Sequence, residues 1–354
     1  MAIELRKVSL RVGAETHIHE TDLSLEPGQF NILLGTTLSG KTSLMRLMAG
    51  LEKPTTGELW VNGGEVTGIP VQKRSVAMVY QAFINYPSFS VYDNIASPLK
   101  VAGLPKKEID EKVRQFAEVL KLTPMLDRLP SELSGGQQQR TALARALVKG
   151  AELVLLDEPL ANLDYKLREE LRDELPRMFA DTGATVVYAT SEPLEALMLG
   201  GYTATLNEGR VVQFGETSTI YRNPESLAGA RVFSDPPVNI ATIEKRGDSA
   251  CLSDTVNWKA PAELAAMPDG SYTIGLRPHY LSPVGSGVEV TGEVQIAEIS
   301  GSESIIRVII EGNNWVSEAH GIHAYEFGQK ASFFFDPARC LYFDANEMLI
   351  HTQR

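Results

Sequence analysis

The chain has 354 residues, which is too long for one ordinary hydrophobic core and favours two or three domains. Apolar residues make up 43% of it, charged residues 22% and aromatic residues 7%, so the composition excludes a disordered, collagenous or disulfide-built protein. The 33 Lys and Arg residues against 45 Asp and Glu residues give a net charge of −12. This charge argues against broad nucleic-acid binding through phosphate neutralisation, so a bound phosphate must be held locally.

The cysteines and the apolar runs bear on the cellular compartment. Only Cys251 and Cys340 are present, without a metal-binding spacing, which indicates neither a disulfide framework nor a zinc site and fits a reducing cytoplasm. No signal-peptide pattern and no run of about 18 apolar residues is visible. We expect a chain that neither spans a membrane nor is exported, and that acts at a membrane only through an embedded partner.

Residues 1–235 alternate short β-branched runs with helical patterns, which predicts an α/β domain with a helix-covered sheet. Strands are predicted at residues 32–34, 153–156 and 185–190, and a helical subdomain at about 85–150. Within that subdomain, apolar residues recur at helical spacing, which indicates either a core-facing stripe or a partner-binding face. These residues are Ile109, Val113, Phe116, Ala117 and Leu120.

The alternation of helical and strand patterns ends at residues 234–240, where two successive prolines exclude a continuing helix. We place the domain boundary there, so that the domains are residues 1–235 and 236–354. The second stretch contains short segments that alternate at period two, which predicts a small antiparallel barrel.

Residues 35–42 read GTTLSGKT and lie between an apolar strand and a helical pattern that stops at Gly50. This context predicts a phosphate-binding loop, in which backbone amides and the positive end of a helix bind phosphates. Lys41 is expected to reach the β- and γ-phosphates, and the Thr42 hydroxyl to coordinate Mg²⁺. The candidate ATP-binding residues here are Gly35, Thr36, Thr37, Leu38, Ser39, Gly40, Lys41, Thr42 and Ser43.

Two further motifs contain candidate catalytic and anion-binding residues. Asp157 and Glu158 end the predicted strand at 153–156, where Asp157 is expected in the Mg²⁺ shell and Glu158 as the residue that polarises the attacking water. Residues 133–137 read LSGGQ and open a helix, which predicts a second anion-binding nest. One chain does not need two sites for one γ-phosphate, so the nest favours ATP bound to a second subunit.

On these motifs the chain resembles the ATPase subunits of ABC transporters. GTTLSGKT is similar to Walker A, LSGGQ to the family signature, LVLLDEP to Walker B, and ANLD at 161–164 to the D-loop. The resemblance implies a P-loop NTPase fold, Mg²⁺ bound through Thr42, Gln81 and Asp157, and a head-to-tail dimer. In that dimer the partner's ATP is contacted by Ser134, Gly135, Gly136, Gln137 and Asp164.

The stretches NYPSFSVYDNI, GLRPHYL and FFFDPARCLYFD resemble ATPases of the maltose-importer type, which serve sugars, polyols and glycerol phosphate, and the glycerol importer ATPase pair. This resemblance implies a C-terminal OB-like regulatory domain, two transmembrane permease subunits, an extracytoplasmic solute-binding protein and no nucleic acid. It places the chain at the cytoplasmic face of the bacterial inner membrane. Tyr86, Pro87 and Phe89 are expected either to line the groove for the permease's coupling helix or to pack in the core.

Three departures from the family pattern concern this chain's own ATP site. Val12 stands where the family has an aromatic residue that stacks on adenine, which weakens the hold on the base by about 1 kcal/mol. Leu38 stands inside the Walker A loop, where its side chain narrows the approach to the phosphates. Ser191 occupies the position of the switch histidine and cannot make a charge-assisted bond to the γ-phosphate.

The signature, in contrast, is intact. We therefore expect an asymmetric ATPase heterodimer in which this chain's own site is impaired and its signature completes a site on a different subunit. The presence of Glu158 points the other way, and a fully active homodimeric importer ATPase is the alternative. A soluble ABC protein of translation or DNA repair is a more remote alternative, disfavoured by the single ABC unit, the acidic charge and the β tail.

Overall fold

The computed structural model describes residues 1–82, 84–161, 163–180 and 182–351. It divides the chain into two compact units, residues 1–217 and 218–354. The boundary predicted from the sequence, near residue 235, lies inside the second of these units. No helix in the described ranges combines the length and the apolar character needed to cross a bilayer.

The first unit is built from alternating strands and helices. Its strands are β1 (Ile3–Val12), β2 (Glu15–Leu25), β3 (Phe30–Leu34), β4 (Thr56–Val61), β5 (Gly64–Glu65), β6 (Val76–Val79), β7 (Leu153–Asp157), β8 (Thr185–Thr190), β9 (Tyr202–Asn207) and β10 (Arg210–Glu216). Its helices are α1 (Lys41–Ala49), α2 (Val91–Val101), α3 (Lys106–Val119), α4 (Gly135–Val148), α5 (Tyr165–Ala180) and α6 (Pro193–Leu199). The α/β architecture predicted from the alternating pattern is confirmed.

The strands form two sheets. An antiparallel sheet has the order β2-β1-β4-β5, and a six-stranded sheet has the order β10-β9-β3-β8-β7-β6, parallel except for the edge strand β10. Every residue of β3, β7 and β8 is buried, as expected for parallel strands that are covered on both faces. In this register Leu34 lies opposite Thr190, and Asp157 lies opposite Ala189. The carboxyl ends of the three strands therefore meet at one edge.

Helix α1 packs in a core that both sheets share. Leu44 and Leu47 of α1 belong to one buried cluster with Leu5 of β1, Leu59 of β4 and Leu155 of β7. All five side chains are no more than 1% exposed. The start of α1 is thereby fixed relative to the edge where the parallel strands end.

Helices α2, α3 and α4 form the predicted helical subdomain. The apolar stripe of α3 faces inward, because Ile109, Val113 and Ala117 are buried, which confirms the core-facing interpretation of this stripe. The side chains of Tyr86 and Phe89, which precede α2, are instead 49% and 43% exposed. A core role for this pair is therefore wrong.

The second unit is dominated by antiparallel strands. These are β11 (Asn239–Arg246), β12 (Ser249–Cys251), β13 (Asn257–Lys259), β14 (Gly270–Leu276), β15 (Val288–Ser300), β16 (Glu303–Ile310), β17 (Asn313–His320), β18 (Lys330–Phe335), β19 (Leu341–Phe343) and β20 (Leu349–His351). Three short helices accompany them: α7 (Thr217–Arg222), which starts at the unit boundary, α8 (Leu227–Val232) and α9 (Ala262–Ala265).

The strands of the second unit form two sheets, of order β13-β12-β11-β14-β19-β20 and β17-β16-β15-β18. Both sheets contribute to one core, which contains Ile243, Leu276, Val308, Trp315 and Phe335. The structure confirms the predicted antiparallel β architecture of this part of the chain.

Asn94 of α2 holds the loop that carries Tyr86 and Phe89. Its Oδ1 accepts a hydrogen bond from the backbone N of Tyr86 at 2.8 Å. Its Nδ2 donates to the carbonyls of Tyr86, Phe89 and Ser90 at 3.1, 2.9 and 3.0 Å. The Asn94 side chain is fully buried, so water does not reach the backbone groups that it binds. These groups of the loop therefore depend on Asn94 for their hydrogen bonds.

We expect Asn94→Ala to lower the free energy of unfolding of the first unit by roughly 2–3 kcal/mol, because several buried backbone groups lose their partner. Urea denaturation followed by circular dichroism measures this loss. Lys100→Ala on the same helix breaks an exposed ion pair with Asp93 and should cost less than about 0.5 kcal/mol. Equal losses in the two variants would contradict the assigned role of Asn94.

A buried carboxyl group joins the end of β8 to α6. Glu195 is 7% exposed, and its two oxygens accept hydrogen bonds from the Tyr188 hydroxyl at 2.8 Å and the Thr190 hydroxyl at 2.5 Å. Burial raises the pKa of Glu195 above its ordinary value of 4.5, and the two hydrogen bonds offset part of this rise. Ionisation of Glu195 therefore opposes folding.

Because the pKa of Glu195 is higher in the folded than in the unfolded chain, its contribution to stability is greatest below about pH 4.5 and falls as the pH rises through the folded pKa. Glu195→Gln loses one hydroxyl acceptor but does not ionise. The variant should therefore be less stable than the wild type by a larger margin at pH 5 than at pH 8, as measured by urea denaturation at both values. Glu118→Gln, the same substitution at an exposed glutamate, is the matched control at both pH values. A margin for Glu195→Gln that does not change with pH would refute the burial argument.

Candidate active site

The predicted phosphate loop, residues 35–42, connects β3 to α1. Gly40 caps α1 with φ +103°, a conformation that favours glycine. A Cβ atom at Gly40 would lie 2.8 Å from Cδ1 of Ile18, and one at Gly35 would lie 2.4 Å from Oγ of Ser39. Both glycines are thus required by close packing of the loop. The Oγ of Ser39 is buried and has no hydrogen-bond partner among the described residues.

Lys41 is the buried cation of this site. Its side chain is 6% exposed, and Nζ donates to the carbonyls of Gly35 at 2.7 Å and Thr36 at 3.0 Å. Burial lowers the pKa of Lys41, while the nearby carboxylates of Glu158 and Asp157 raise it in part. The ammonium group is held by neutral carbonyls, so a phosphate oxygen offers it a stronger, charge-assisted partner.

The hydroxyl of Thr42 and the carboxyl of Asp157 lie together at the end of β7. Thr42 Oγ1 donates to Asp157 Oδ2 at 2.8 Å, and Asp157 is 2% exposed. Burial raises the pKa of Asp157, which its bond from Thr42 and the charge of Lys41 counteract in part. A hydroxyl and a carboxylate held at this distance form an oxygen donor set of the kind that Mg²⁺ prefers, so the residues present fit this ion.

Glu158 occupies the centre of the cluster. Its backbone has φ +46°, and its amide donates to the carbonyl of Ala189 on β8 at 3.0 Å. Gln81 Nε2 donates to Glu158 Oε2 at 3.0 Å, and Lys41 Nζ lies 3.7 Å from Oε1. The structure therefore brings together Lys41, Thr42, Gln81, Asp157 and Glu158, which the sequence places in three separate segments.

The three departures lie around this cluster. Val12 ends β1 with its side chain 51% exposed. Leu38 lies in the phosphate loop with φ +68° and is 95% exposed, so an apolar side chain projects from left-handed backbone that would suit glycine better. Ser191 is exposed and directly follows Thr190, the residue opposite Leu34 in the sheet.

The predicted signature opens α4. Ser134 Oγ accepts a hydrogen bond from the amide of Gln137 at 3.4 Å, and Gln137 Oε1 accepts one from the amide of Ser134 at 3.0 Å. A Cβ atom at Gly135 would meet nothing within 4 Å, so this helix end is open to an approaching ligand. In the described ranges no hydrogen bond or ion pair joins residues 134–137 to the phosphate loop.

The D-loop leads into α5. Asp164 Oδ1 accepts a hydrogen bond from the amide of Leu167 at 3.0 Å and so caps this helix. Asn162, which belongs to the same predicted motif, lies outside the described residues. Motif reading missed Arg168 and Glu192, which pair at 3.0 Å beside this loop. Charged residues of this kind are common on exposed helices, and nothing in their spacing distinguishes them.

Comparison with known proteins agrees with the motifs. The profile of the ABC transporter family matches residues 18–161. The chain is 35% identical over 351 residues to the trehalose/maltose import ATP-binding protein MalK of Thermococcus litoralis, a match that covers 94% of each chain. It is 34% identical to the alpha-glucoside transport ATP-binding protein AglK of Rhizobium meliloti, covering 97% of both chains.

A third relative, the sn-glycerol-3-phosphate import ATP-binding protein UgpC of Cupriavidus pinatubonensis, is 33% identical over 96% of this chain and 98% of its own. Among solved structures, the dimer of an ATP-binding cassette in a post-hydrolysis state with ADP and Pi superposes with a TM-score of 0.56 at 26% identity. That match covers 61% of this chain and 98% of the other. With these similarities over nearly its whole length, the chain belongs to the ABC transporter family, as an ATP-binding ATPase.

Proposed function

We propose that the chain is the ATP-binding subunit of an importer for a sugar, a polyol, glycerol or glycerol phosphate. The cluster of Lys41, Thr42, Asp157 and Glu158 carries this proposal, because it supplies a phosphate-binding cation, an oxygen donor set for Mg²⁺ and a carboxylate in one place. The import functions named for the full-length relatives support the solute class.

The proposed partners follow from the same similarity. They are two transmembrane permease subunits, an extracytoplasmic solute-binding protein and a second ABC ATPase subunit, without nucleic acid. The chain would then sit peripherally at the cytoplasmic face of the inner membrane. The exposed ring pair of Tyr86 and Phe89, whose centroids are 5.4 Å apart, is an apolar surface suited to the coupling helix of a permease. Residues 1–235 would form the ATPase domain, and residues 236–354 an OB-like regulatory domain.

The proposed mechanism assigns a task to each residue of the cluster. Lys41 exchanges its loop carbonyls for oxygens of the β- and γ-phosphates. Thr42, Asp157 and Gln81 would hold Mg²⁺, which would supply positive charge beside the phosphates. Glu158 accepts a hydrogen bond from the attacking water and orients it. Glu158 also accepts a bond from Gln81 on Oε2, and the remaining lone pairs of its carboxylate are able to accept one from the water.

The departures support an asymmetric dimer in which this chain's own site is impaired. The hydroxyl of Ser191 is shorter than an imidazole and carries no positive charge, so it stabilises the γ-phosphate less. Leu38 adds an exposed apolar side chain to the loop that receives the phosphates. The signature at Ser134–Gln137 keeps the residues needed to complete a site on another subunit. The retained Glu158 favours the second candidate, a fully active homodimer.

Reconstitution tests both forms of the proposal. The chain is purified alone and together with the products of neighbouring genes, and its ATP hydrolysis is measured in each case. We expect co-purification with a membrane permease and faster hydrolysis by the assembled complex than by the lone chain. A lone chain that hydrolyses ATP as fast as the complex would support the homodimer. Recovery only with ribosomes or DNA would overturn the proposal.

Restoring the missing imidazole provides a second measurement. We expect Ser191→His to raise the kcat of the chain purified alone by about tenfold, because a charge-assisted bond to the γ-phosphate is added at the impaired site and no competent partner site masks the gain. Ser191→Ala is the matched control and should change kcat by less than about twofold, since it removes only the hydroxyl. A control that loses as much activity as Glu158→Gln would show that the Ser191 hydroxyl already serves catalysis, contrary to impairment.

A further inference from the structure

One guanidinium group connects two segments of the site that have so far been described separately. Arg168 lies in the first turn of α5, between the D-loop (residues 161–164) and the switch segment (residues 190–192). We infer that Arg168 is a positioning residue that fixes the switch segment relative to the D-loop. The inference rests on the proposed function, because it concerns ATP hydrolysis in an assembled dimer.

The D-loop side of this connection has three hydrogen bonds. Arg168 Nη2 donates to the carbonyl of Ala161 at 3.1 Å, and the Arg168 amide donates to the carbonyl of Asp164 at 2.9 Å. The Asp164 carboxylate in turn accepts from the amide of Leu167 at 3.0 Å. Ala161 and Asp164, at the two ends of the D-loop, are thus both hydrogen-bonded to the first turn of α5.

The switch side is an ion pair. Arg168 Nη1 lies 3.0 Å from Oε1 and 3.4 Å from Oε2 of Glu192. The amide of Glu192 donates to the Thr190 hydroxyl at 3.0 Å, and that hydroxyl donates to the buried Glu195. Both neighbours of Ser191 are therefore anchored, Glu192 by Arg168 and Thr190 by Glu195. The backbone on either side of Ser191 is held by these two anchors.

The geometry differs from that of an ordinary surface ion pair. The Arg168 side chain is 26% exposed, and its two terminal nitrogens bind different segments, a carbonyl on one side and a carboxylate on the other. Its Nε is buried without a hydrogen-bond partner in the described part of the chain. A lysine offers a single point charge and cannot bind both groups in this planar arrangement.

The same helix provides a contrast. Arg177 pairs with Glu174 at 3.2 Å, within one turn of α5, and its side chain is 73% exposed. This pair joins no separate segments, and contacts of this kind contribute little to stability. Arg177 is therefore a matched control for loss of an arginine ion pair on α5.

The expected consequence concerns turnover. A D-loop that contacts a partner subunit transmits its position through Arg168 to the switch segment, although Arg168 itself touches no phosphate. Loss of either contact of the Arg168 side chain, with Ala161 or with Glu192, should leave ATP binding nearly unchanged, because neither contact involves the phosphate loop. It should slow the step in which the residue at position 191 and the attacking water must be aligned.

The test uses the full chain purified alone, in its Ser191→His form, with Arg168→Lys, Glu192→Gln and the control Arg177→Lys added to it. In the Ser191→His form of the chain, we expect the first two variants to lower kcat about five- to tenfold with KM for ATP changed less than about twofold, and the control to match Ser191→His alone. The melting temperature of all three should stay within about 2 °C of the wild type. Glu192 is exposed, so its variant tests the ion pair even if Arg168→Lys fails to fold.

A double-mutant cycle gives a readout that a purely structural role would not change. The gain in kcat caused by Ser191→His should be largely lost in the Arg168→Lys background and kept in the Arg177→Lys background. A gain from Ser191→His that is undiminished in both the Arg168→Lys and the Glu192→Gln backgrounds would overturn the inference, as would a loss that follows the folded fraction alone. If the wild-type complex does not hydrolyse ATP at all, the proposed function fails first, and this inference fails with it.

Discussion

The parallel register of β3, β7 and β8 is the constraint on which the site depends. Leu34 faces Thr190 and Asp157 faces Ala189, so the phosphate loop, the carboxylate pair and the switch segment all leave the sheet at one edge. Because side chains alternate between the two faces of a strand, a shift of one residue in β7 would turn Asp157 away from Thr42. The strands are buried and, apart from Asp157 at the end of β7, uncharged, so the charged groups lie where the strands end.

A second dependence runs through α1. Its apolar face is buried against both sheets of the first unit, and its first residue is the lysine of the phosphate loop. Lys41 is therefore carried into the interior by the packing of Leu44 and Leu47, and its desolvation is compensated by two carbonyls and two nearby carboxylates. The same burial that stabilises the helix keeps the cation ready for a phosphate.

The sequence predicted much of this arrangement because the relevant signals are local. Apolar runs located β7 and β8, and the glycine pattern located the loop before α1. Local signals did not show that Gln81 bonds to Glu158, since 77 positions separate them. They also missed Arg168 and Glu192, whose pairing depends on how α5 returns to the sheet. The paired prolines suggested a domain boundary near residue 235, whereas the compact units of the structure divide at residue 217.

The hydrogen bonds at the start of α4 have a consequence for assembly. Ser134 and Gln137 satisfy each other's backbone amides, so the start of α4 is not left with bare donors in the single chain. An incoming phosphate has to compete with this internal cap for the amide of Gln137. Binding there therefore exchanges one set of hydrogen bonds for another. The bond from the Gln137 amide to Ser134 Oγ is long, at 3.4 Å, and its loss costs the least free energy. Such an exchange favours readily reversible binding at this end of the helix.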